Sequence, residues 1–152
     1  RYADSSRINA NGGRDHVRAV EQASTGGQAL SEPYKAVTLI IKKTPPSLND
    51  TKDWHWTKRQ EEQAAWDLLI HKLWVQGDKF SFKKPVKIRY ILRFETKQAR
   101  DVDNYIGGTK LINDSLKRSF LTRDDAEWVR EVSVVFDKEL GSPRTQVEIE
   151  EV

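Results

Sequence analysis

Two aspartates separated by a single residue, Asp101 and Asp103, are the residues whose types and spacing most suggest chemistry. In an extended segment, side chains two positions apart point to the same side, and their backbones lie roughly 6.6 Å apart. Two carboxylates at that separation can converge on one divalent cation such as Mg²⁺ or Mn²⁺. Asp-x-Asp is also a common pattern before a helix, because Asp caps helix N-termini, so a purely structural role stays open.

A lysine and another acid follow the pair at helical spacing. Lys110 and Asp114 lie seven and eleven positions after Asp103, which puts all three on one face of a helix. Lys110 could stabilise negative charge that develops on a phosphate, or it could form an ordinary i,i+4 ion pair with Asp114. The cluster as a whole predicts a Mg²⁺ or Mn²⁺ site that cuts phosphodiester bonds.

The helix that would carry Lys110 contains two adjacent glycines. Asp103 or Asn104 is expected to cap this helix, which should run to about residue 118. Gly107 and Gly108 each cost roughly 1 kcal/mol relative to alanine inside a helix. Such a cost indicates either that a ligand must approach the backbone closely or that another element crosses it tightly.

Positive charge is concentrated in the middle of the chain. Residues 34–123 contain 19 Lys and Arg against 10 Asp and Glu, whereas residues 124–152 contain 3 against 9. A basic middle suggests a polyanion partner, although a solvated surface explains the charge equally well. The candidate contacts to DNA phosphates are Lys58, Arg59, Lys87, Arg89, Arg93 and Arg100.

Periodic hydrophobicity predicts an α/β (α+β) domain over residues 34–152, with helices packed on a small mixed β-sheet in the order β-α-β-α-β-β. The β-branched run 37–41 predicts a first strand. Residues 85–94 alternate between an apolar and a mostly basic face, and this basic face could contact DNA, water or the partner subunit of a dimer. Two final strands, starting at Trp128 and at Arg144, are expected to form a hairpin.

A long helix is predicted between the first two strands of this domain. A capping-box pattern at Thr57 starts it, and it continues for about five turns to Gly77. His55 lies just before it and is a candidate for contact with substrate or metal, although a lone loop histidine usually has neither role. Residues 1–33 are polar and are predicted to be a flexible tail or linker, with a short helix near residues 14–23.

Composition excludes several classes of protein. The 152 residues include no cysteine, so there is no disulfide framework and no thiolate metal site, which fits a reducing cytoplasm. No apolar run approaches the roughly 20 residues that span a bilayer, so no membrane partner is expected. The length predicts one domain with a tail.

At this point the residues resemble the RusA family of Holliday-junction resolvases, which is typical of bacteriophages and prophages. The resemblance spans residues 36–152 and rests on Asp101-Val102-Asp103-Asn104, the lysine-bearing helix after it, Asp124-Asp125, the terminal strands, and Pro45-Pro46-Ser47-Leu48-Asn49 after the first strand. In the best-known form of the family the lysine lies nearer the aspartates, where this chain has Gly107. The lysine role therefore passes to Lys110 across a short insertion.

The resemblance implies a small α/β homodimer that binds four-way DNA junctions by shape. With Mg²⁺ or Mn²⁺ it would nick two strands symmetrically, in the cytoplasm of a bacterial or phage-infected cell. Its metal-binding catalytic acids would be Asp101, Asp103 and Asp125, with Lys110 catalytic, Asn49 at the DNA, and Asn104, Asp114 and Asp124 in support. Two other hypotheses stay open: a junction- or DNA-binding protein without catalysis, and a structural protein that has lost DNA binding.

Overall fold

The computed structural model describes residues 2–8, 16–22, 34–123 and 126–152, and of residues 2–8, 16–22 and 34 it describes the backbone alone. The elements are strands β1 (Tyr2–Ile8), β2 (His16–Gln22), β3 (Tyr34–Ile41), β4 (Val86–Arg93), β5 (Val129–Phe136) and β6 (Arg144–Glu151), and helices α1 (Leu48–Thr51), α2 (Trp56–Gln76) and α3 (Asp103–Lys117). Among these residues, no helix combines the length and the apolar character that crossing a bilayer requires.

All strands belong to one mixed sheet in the order β1-β2-β3-β6-β4-β5. Strands β4 and β5 pair in parallel, and the other neighbours pair antiparallel. The mixed α+β class predicted from the sequence is confirmed. The predicted hairpin of β5 and β6 is wrong, because β4 lies between them. A parallel neighbour of β4 needs a crossover connection, which α3 supplies, and β6 then enters the sheet between β3 and β4.

The predicted tail over residues 1–33 lies partly outside the described residues. Within it, Tyr2–Ile8 and His16–Gln22 pair with each other, and the second of these strands pairs with β3. The short helix expected near residues 14–23 is replaced there by β2. The hydrophobicity pattern of residues 1–33 did not predict these strands. Their place in the sheet comes from backbone pairing with each other and with β3.

The core lies between one face of the sheet and the helices α2 and α3. On β4 the predicted alternation is confirmed, since Ile88, Tyr90 and Leu92 are buried on the helix side. Helix α2 contributes Trp66 and helix α3 contributes Ile112, both without exposed surface. Burial of these large side chains fixes α3, and with it the acidic pair at its start, against the end of the sheet.

Helix α2 ends at its predicted cap, Gly77, but it does not begin with the predicted one. The Nδ1 atom of His55 accepts a hydrogen bond of 3.2 Å from the backbone N–H of Thr57, so His55 is the N-cap and Thr57 already lies inside the helix. A histidine can replace the usual small polar cap because its ring nitrogen reaches the same free N–H group.

Helix α3 also begins differently from the prediction. Its N-cap is Val102, which has helical dihedrals and no side-chain cap, so the predicted cap by Asp103 or Asn104 is wrong. The predicted loop before α2 contains the short helix α1, where Ser47 and Asp50 form a capping box. Helix α1 packs on α3, which brings the segment after β3 next to the start of α3.

Candidate functional site

The acidic pair lies at the N-terminal end of α3, and Asp103 is the first residue of that helix. Val102 between the two aspartates has φ −55° and ψ −39°. The extended backbone assumed for this segment is therefore wrong at Val102. Residues two apart in a helical turn differ by about 200° around the axis, so the backbone alone does not direct both carboxylates to one side. The metal role of the pair stays a prediction.

Both carboxylates are nevertheless free to bind a cation. Asp101 and Asp103 are exposed, and no described residue donates a hydrogen bond to either side chain or forms an ion pair with it. Carboxylate oxygens are the donors that Mg²⁺ and Mn²⁺ prefer, so the chemistry of the pair fits the predicted metal.

A third ligand is not found in the part of the chain that the structure describes. No group of three or more acidic, histidine or cysteine side chains there is arranged to hold a metal ion. The predicted third acid, Asp125, and its neighbour Asp124 lie outside the described residues. Their part in the site is untested by the geometry.

Lys110 forms the i,i+4 ion pair with Asp114, which was the alternative to a role at a phosphate. Its Nζ lies 3.5 Å from Asp114 Oδ1, and the lysine side chain is 77% exposed. A pair this exposed contributes little to stability, because water screens it. Asn104, the other residue of the pattern, is half-buried, and its backbone N–H donates to the carbonyl of Asp101 at 3.1 Å.

A buried tyrosine on β4 forms a hydrogen bond with helix α3. The hydroxyl of Tyr90, on β4, donates a hydrogen bond to Asn113 Oδ1 on α3. Burial raises the pKa of the Tyr90 hydroxyl well above its usual range, and the nearby negative charge of Asp114 raises it further. The hydrogen bond to Asn113 joins this turn of α3 to the sheet.

A groove of about 570 Å³ is lined in part by residues that flank the acidic pair in the chain. It is enclosed by the segment after β3, the first turn of α2 and the segment between β4 and α3. We call it the Lys58–Arg100 groove, and its lining side chains are Thr44, Pro45, Pro46, Ser47, Asp50, Trp54, Lys58, Glu62, Phe94, Gln98, Arg100 and Tyr105. Arg100 directly precedes Asp101 in the chain, and Tyr105 follows Asp103 by two residues, whereas the two aspartates themselves do not line the groove.

The acids of the groove are already engaged. Glu62 accepts an ion pair of 2.6 Å from Lys43, and Asp50 accepts hydrogen bonds from the backbone and hydroxyl of Ser47. Lys58, by contrast, has no carboxylate partner among the described residues, and its Nζ lies 5.2 Å from the ring centre of Trp54. Two lining cations therefore lack a partner of opposite charge in the described residues, against one lining acid, Asp50, whose donors come from the neutral Ser47.

Arg100 is the second cation of the groove without a carboxylate partner in the described part of the chain. Its Nη1 donates to the carbonyl of Thr96 at 2.9 Å, and its guanidinium lies 4.1 Å from the ring centre of Phe94. Phe94 in turn packs against Tyr105 and Phe136. This aromatic cluster joins the ends of β4 and β5 to α3 and fixes the direction in which Arg100 points.

The remaining predicted phosphate contacts are spread over other surfaces. Lys87 and Arg89 lie on the sheet face opposite the helices, where Glu150 and Glu148 of β6 approach them to 3.5 and 3.8 Å. That face is therefore mixed in charge rather than cationic. Arg93 continues the same face, with its Nε donating to a loop carbonyl.

Two further predicted DNA contacts lie near the groove without lining it. Arg59 donates to the carbonyl of Thr51 at 3.3 Å, and Asn49 is exposed in α1. Of the predicted cations, the fold thus brings Lys58 and Arg100 together in one groove, and Arg100 directly precedes Asp101 in the chain.

Several lining residues were not singled out from the sequence. These residues are Trp54, Phe94, Gln98 and Tyr105. The spacing of Trp54 and Lys58, four positions apart at the start of a helix, was the available hint of an aromatic beside a cation.

Comparison of the sequence with protein-family models finds no match, and a search among curated proteins also finds none. The resemblance described above stays a prediction that rests on the quoted residues.

Proposed function

We propose that the protein is a metal-dependent endodeoxyribonuclease of the RusA type, which cuts branched DNA. The observation that carries the proposal is that carboxylates and cations without partners occur next to each other in the chain. Asp101 and Asp103 have carboxylates without protein partners in the described residues. Arg100, the residue directly before Asp101, lines a groove together with Lys58, and neither cation has a carboxylate partner among the described residues. Cleavage of a phosphodiester bond in DNA uses both, because cations bind the DNA backbone and carboxylates bind the metal.

In this proposal the chain's own residues divide the work. Asp101, Asp103 and Asp125 hold the metal, which supplies an activated water and stabilises the leaving oxygen when it is bound. Lys58 and Arg100 bind phosphates that flank the scissile one. Lys110 offsets charge at the scissile phosphate, for which its ion pair with Asp114 must open or shift.

A DNA-binding protein without catalysis is the second candidate, and one observation favours it. The helical backbone at Val102 does not direct Asp101 and Asp103 to one side, so a shared metal requires the side chains to turn toward each other. The same acids also argue against this candidate, because carboxylates without a bound metal repel DNA phosphates and weaken DNA binding.

The substitution Asp103→Asn separates the two candidates. The proposed nuclease retains binding of a four-way junction after this change and loses Mg²⁺-dependent nicking. A protein that only binds DNA shows no nicking in the wild type, and the substituted protein binds DNA at least as tightly. Junction binding is measured by gel shift and nicking by denaturing electrophoresis of labelled strands.

The proposed substrate and assembly follow from the same resemblance. Paired nicks in a four-way junction need two active sites related by a two-fold axis, so we propose a homodimer. Light scattering on the purified protein measures its mass, and a monomer at all concentrations with and without junction DNA would contradict the assembly.

A further inference from the structure

The Lys58–Arg100 groove contains more than the cations that bind a DNA backbone. Half-buried aromatic rings, Trp54, Phe94 and Tyr105, line it together with the amide side chain of Gln98. A backbone phosphate alone gives no reason for these rings. Aromatic side chains beside cations are the combination that proteins use to bind unpaired nucleotides, since the ring stacks on the base and the cation binds the phosphate.

The three rings are not equally available. Tyr105 packs against both Phe94 and Phe136, with ring centres 5.2 and 5.6 Å apart. Phe94 also carries the Arg100 guanidinium on its ring. Lys58 Nζ lies 5.2 Å from the ring centre of Trp54, so a cation lies over this ring as over Phe94. Unlike Phe94 and Tyr105, however, Trp54 packs against no other ring in the described residues. Trp54 is therefore the ring most free to receive a base.

The unpaired cations of the groove outnumber its unpaired acids, which favours an anion. Glu62 is paired with Lys43, and Asp50 accepts hydrogen bonds from the neutral Ser47. Lys58 and Arg100 both lack an acidic partner among the described residues. Arg100 is further oriented by the carbonyl of Thr96, so it presents its charge from a fixed position.

From these observations we infer that the groove binds one unpaired nucleotide of a DNA strand, with its phosphate at Lys58 and Arg100 and its base stacked on Trp54. In a duplex both faces of each base are covered by its neighbours, so only a nucleotide outside the stack can bind in this way. The inference rests on the proposed function only for the source of that nucleotide, a strand beside the scissile bond of branched DNA. Binding itself requires no metal.

The test is an anisotropy titration of a labelled oligothymidylate of about 10 nucleotides, within the range of single-strand site sizes. A duplex of the same length is titrated in parallel, both in buffer with EDTA. The wild type is expected to bind the single strand more tightly than the duplex. Trp54→Ala and Arg100→Ala are each expected to weaken single-strand binding roughly tenfold. Lys58→Ala should also lower the dependence of log K on log salt by about 1.

The matched control is Lys83→Ala, which removes an exposed lysine at the opposite end of β4 and should leave binding unchanged. Equal binding by wild type, Trp54→Ala and Arg100→Ala would overturn the inference, as would tighter binding of the duplex. Competition by polyglutamate as effective as that by oligothymidylate would also overturn it, because the site would then bind any polyanion.

Failure of the proposed nuclease is a separate result. Groove-dependent binding of the oligonucleotide without any Mg²⁺-dependent nicking would support the nucleotide site and reject the nuclease. Nicking that survives while the groove substitutions leave single-strand binding unaltered would support the nuclease and reject the nucleotide site.

Discussion

The backbone carbonyl of Pro46 occupies the space that a side chain on Gly108 would need. An ideal Cβ atom on Gly108 would lie 2.1 Å from that oxygen, whereas one on Gly107 would meet nothing nearer than Leu48 Cδ1 at 3.9 Å. The glycine that costs helix stability is therefore the one that lets the segment after β3 pack on α3. This contact, rather than a ligand, explains Gly108, and it forms one side of the Lys58–Arg100 groove.

Substitution of the two glycines should have opposite effects. Gly108→Ala is expected to lower the free energy of unfolding by about 1–3 kcal/mol, because backbone must move to admit the methyl group. Gly107→Ala should instead raise it by up to about 1 kcal/mol, through the helix propensity of alanine. Urea unfolding of both variants measures the difference. Equal effects in the two variants would show that Pro46 does not press on the helix.

Asp67 joins α2 to the C-terminal end of α3. Its carboxylate accepts hydrogen bonds from Gln63 at 3.1 Å and Ser115 at 2.6 Å, and it forms an ion pair with Arg118. Asp67→Ala should lower the free energy of unfolding by about 1–3 kcal/mol, because hydrogen bonds to a charged acceptor and the ion pair with Arg118 are lost. Gln63 and Ser115 keep the carbonyl of Leu111 as an acceptor. The control, Glu61→Ala, removes an exposed acid of the same helix and should stay within about 0.5 kcal/mol of wild type. A similar loss in both variants would mean that Asp67 does not join the helices.

Tyr90 predicts a loss of stability in alkaline solution. Burial, with the charge of Asp114 second, raises the pKa of its hydroxyl in the folded protein. The unfolded chain releases that proton near pH 10, so the folded state holds more protons above that pH and stability falls as pH rises. From about pH 8 to about pH 11, the stability advantage of wild type over Tyr90→Phe should shrink by about 1.4 kcal/mol. Urea unfolding at both pH values measures it, and an unchanged difference would place the hydroxyl in water.

Lys110 should matter to nicking and not to folding. Because its ion pair with Asp114 is exposed, Lys110→Ala should change the free energy of unfolding by no more than about 0.5 kcal/mol. The proposed role at the phosphate predicts a loss of nicking rate of about 10²-fold or more. Lys83→Ala serves as the control for removal of one positive charge. Nicking at the wild-type rate in Lys110→Ala would assign the lysine to the ion pair alone.

Elements with strong local patterns were predictable from the sequence. The alternation that ends at Leu92, the long helix and its cap at Gly77, and the last turn of α3 all appear as expected. Each is set by residues close in the chain, through side-chain period or through the free groups at a helix end.

Features that depend on distant partners were not predictable. The position of β6 between β3 and β4 is decided by pairing across the sheet, and the strand sequence of Arg144–Glu151 suits a hairpin equally well. Whether Gly108 served a ligand or a crossing loop was undecidable without Pro46 in place. Trp54, Phe94 and Arg100 likewise come together in the groove from separate segments, so no single stretch of sequence predicts it.

The most direct test of the proposed function is incubation of the purified protein with a labelled four-way junction and a matched linear duplex, each with Mg²⁺ and with EDTA. The proposal predicts paired nicks in the junction with Mg²⁺, few or none in the duplex, and none in EDTA or with Asp103→Asn. Intact junction strands in Mg²⁺ and in Mn²⁺, under conditions where the protein binds the junction, would contradict it.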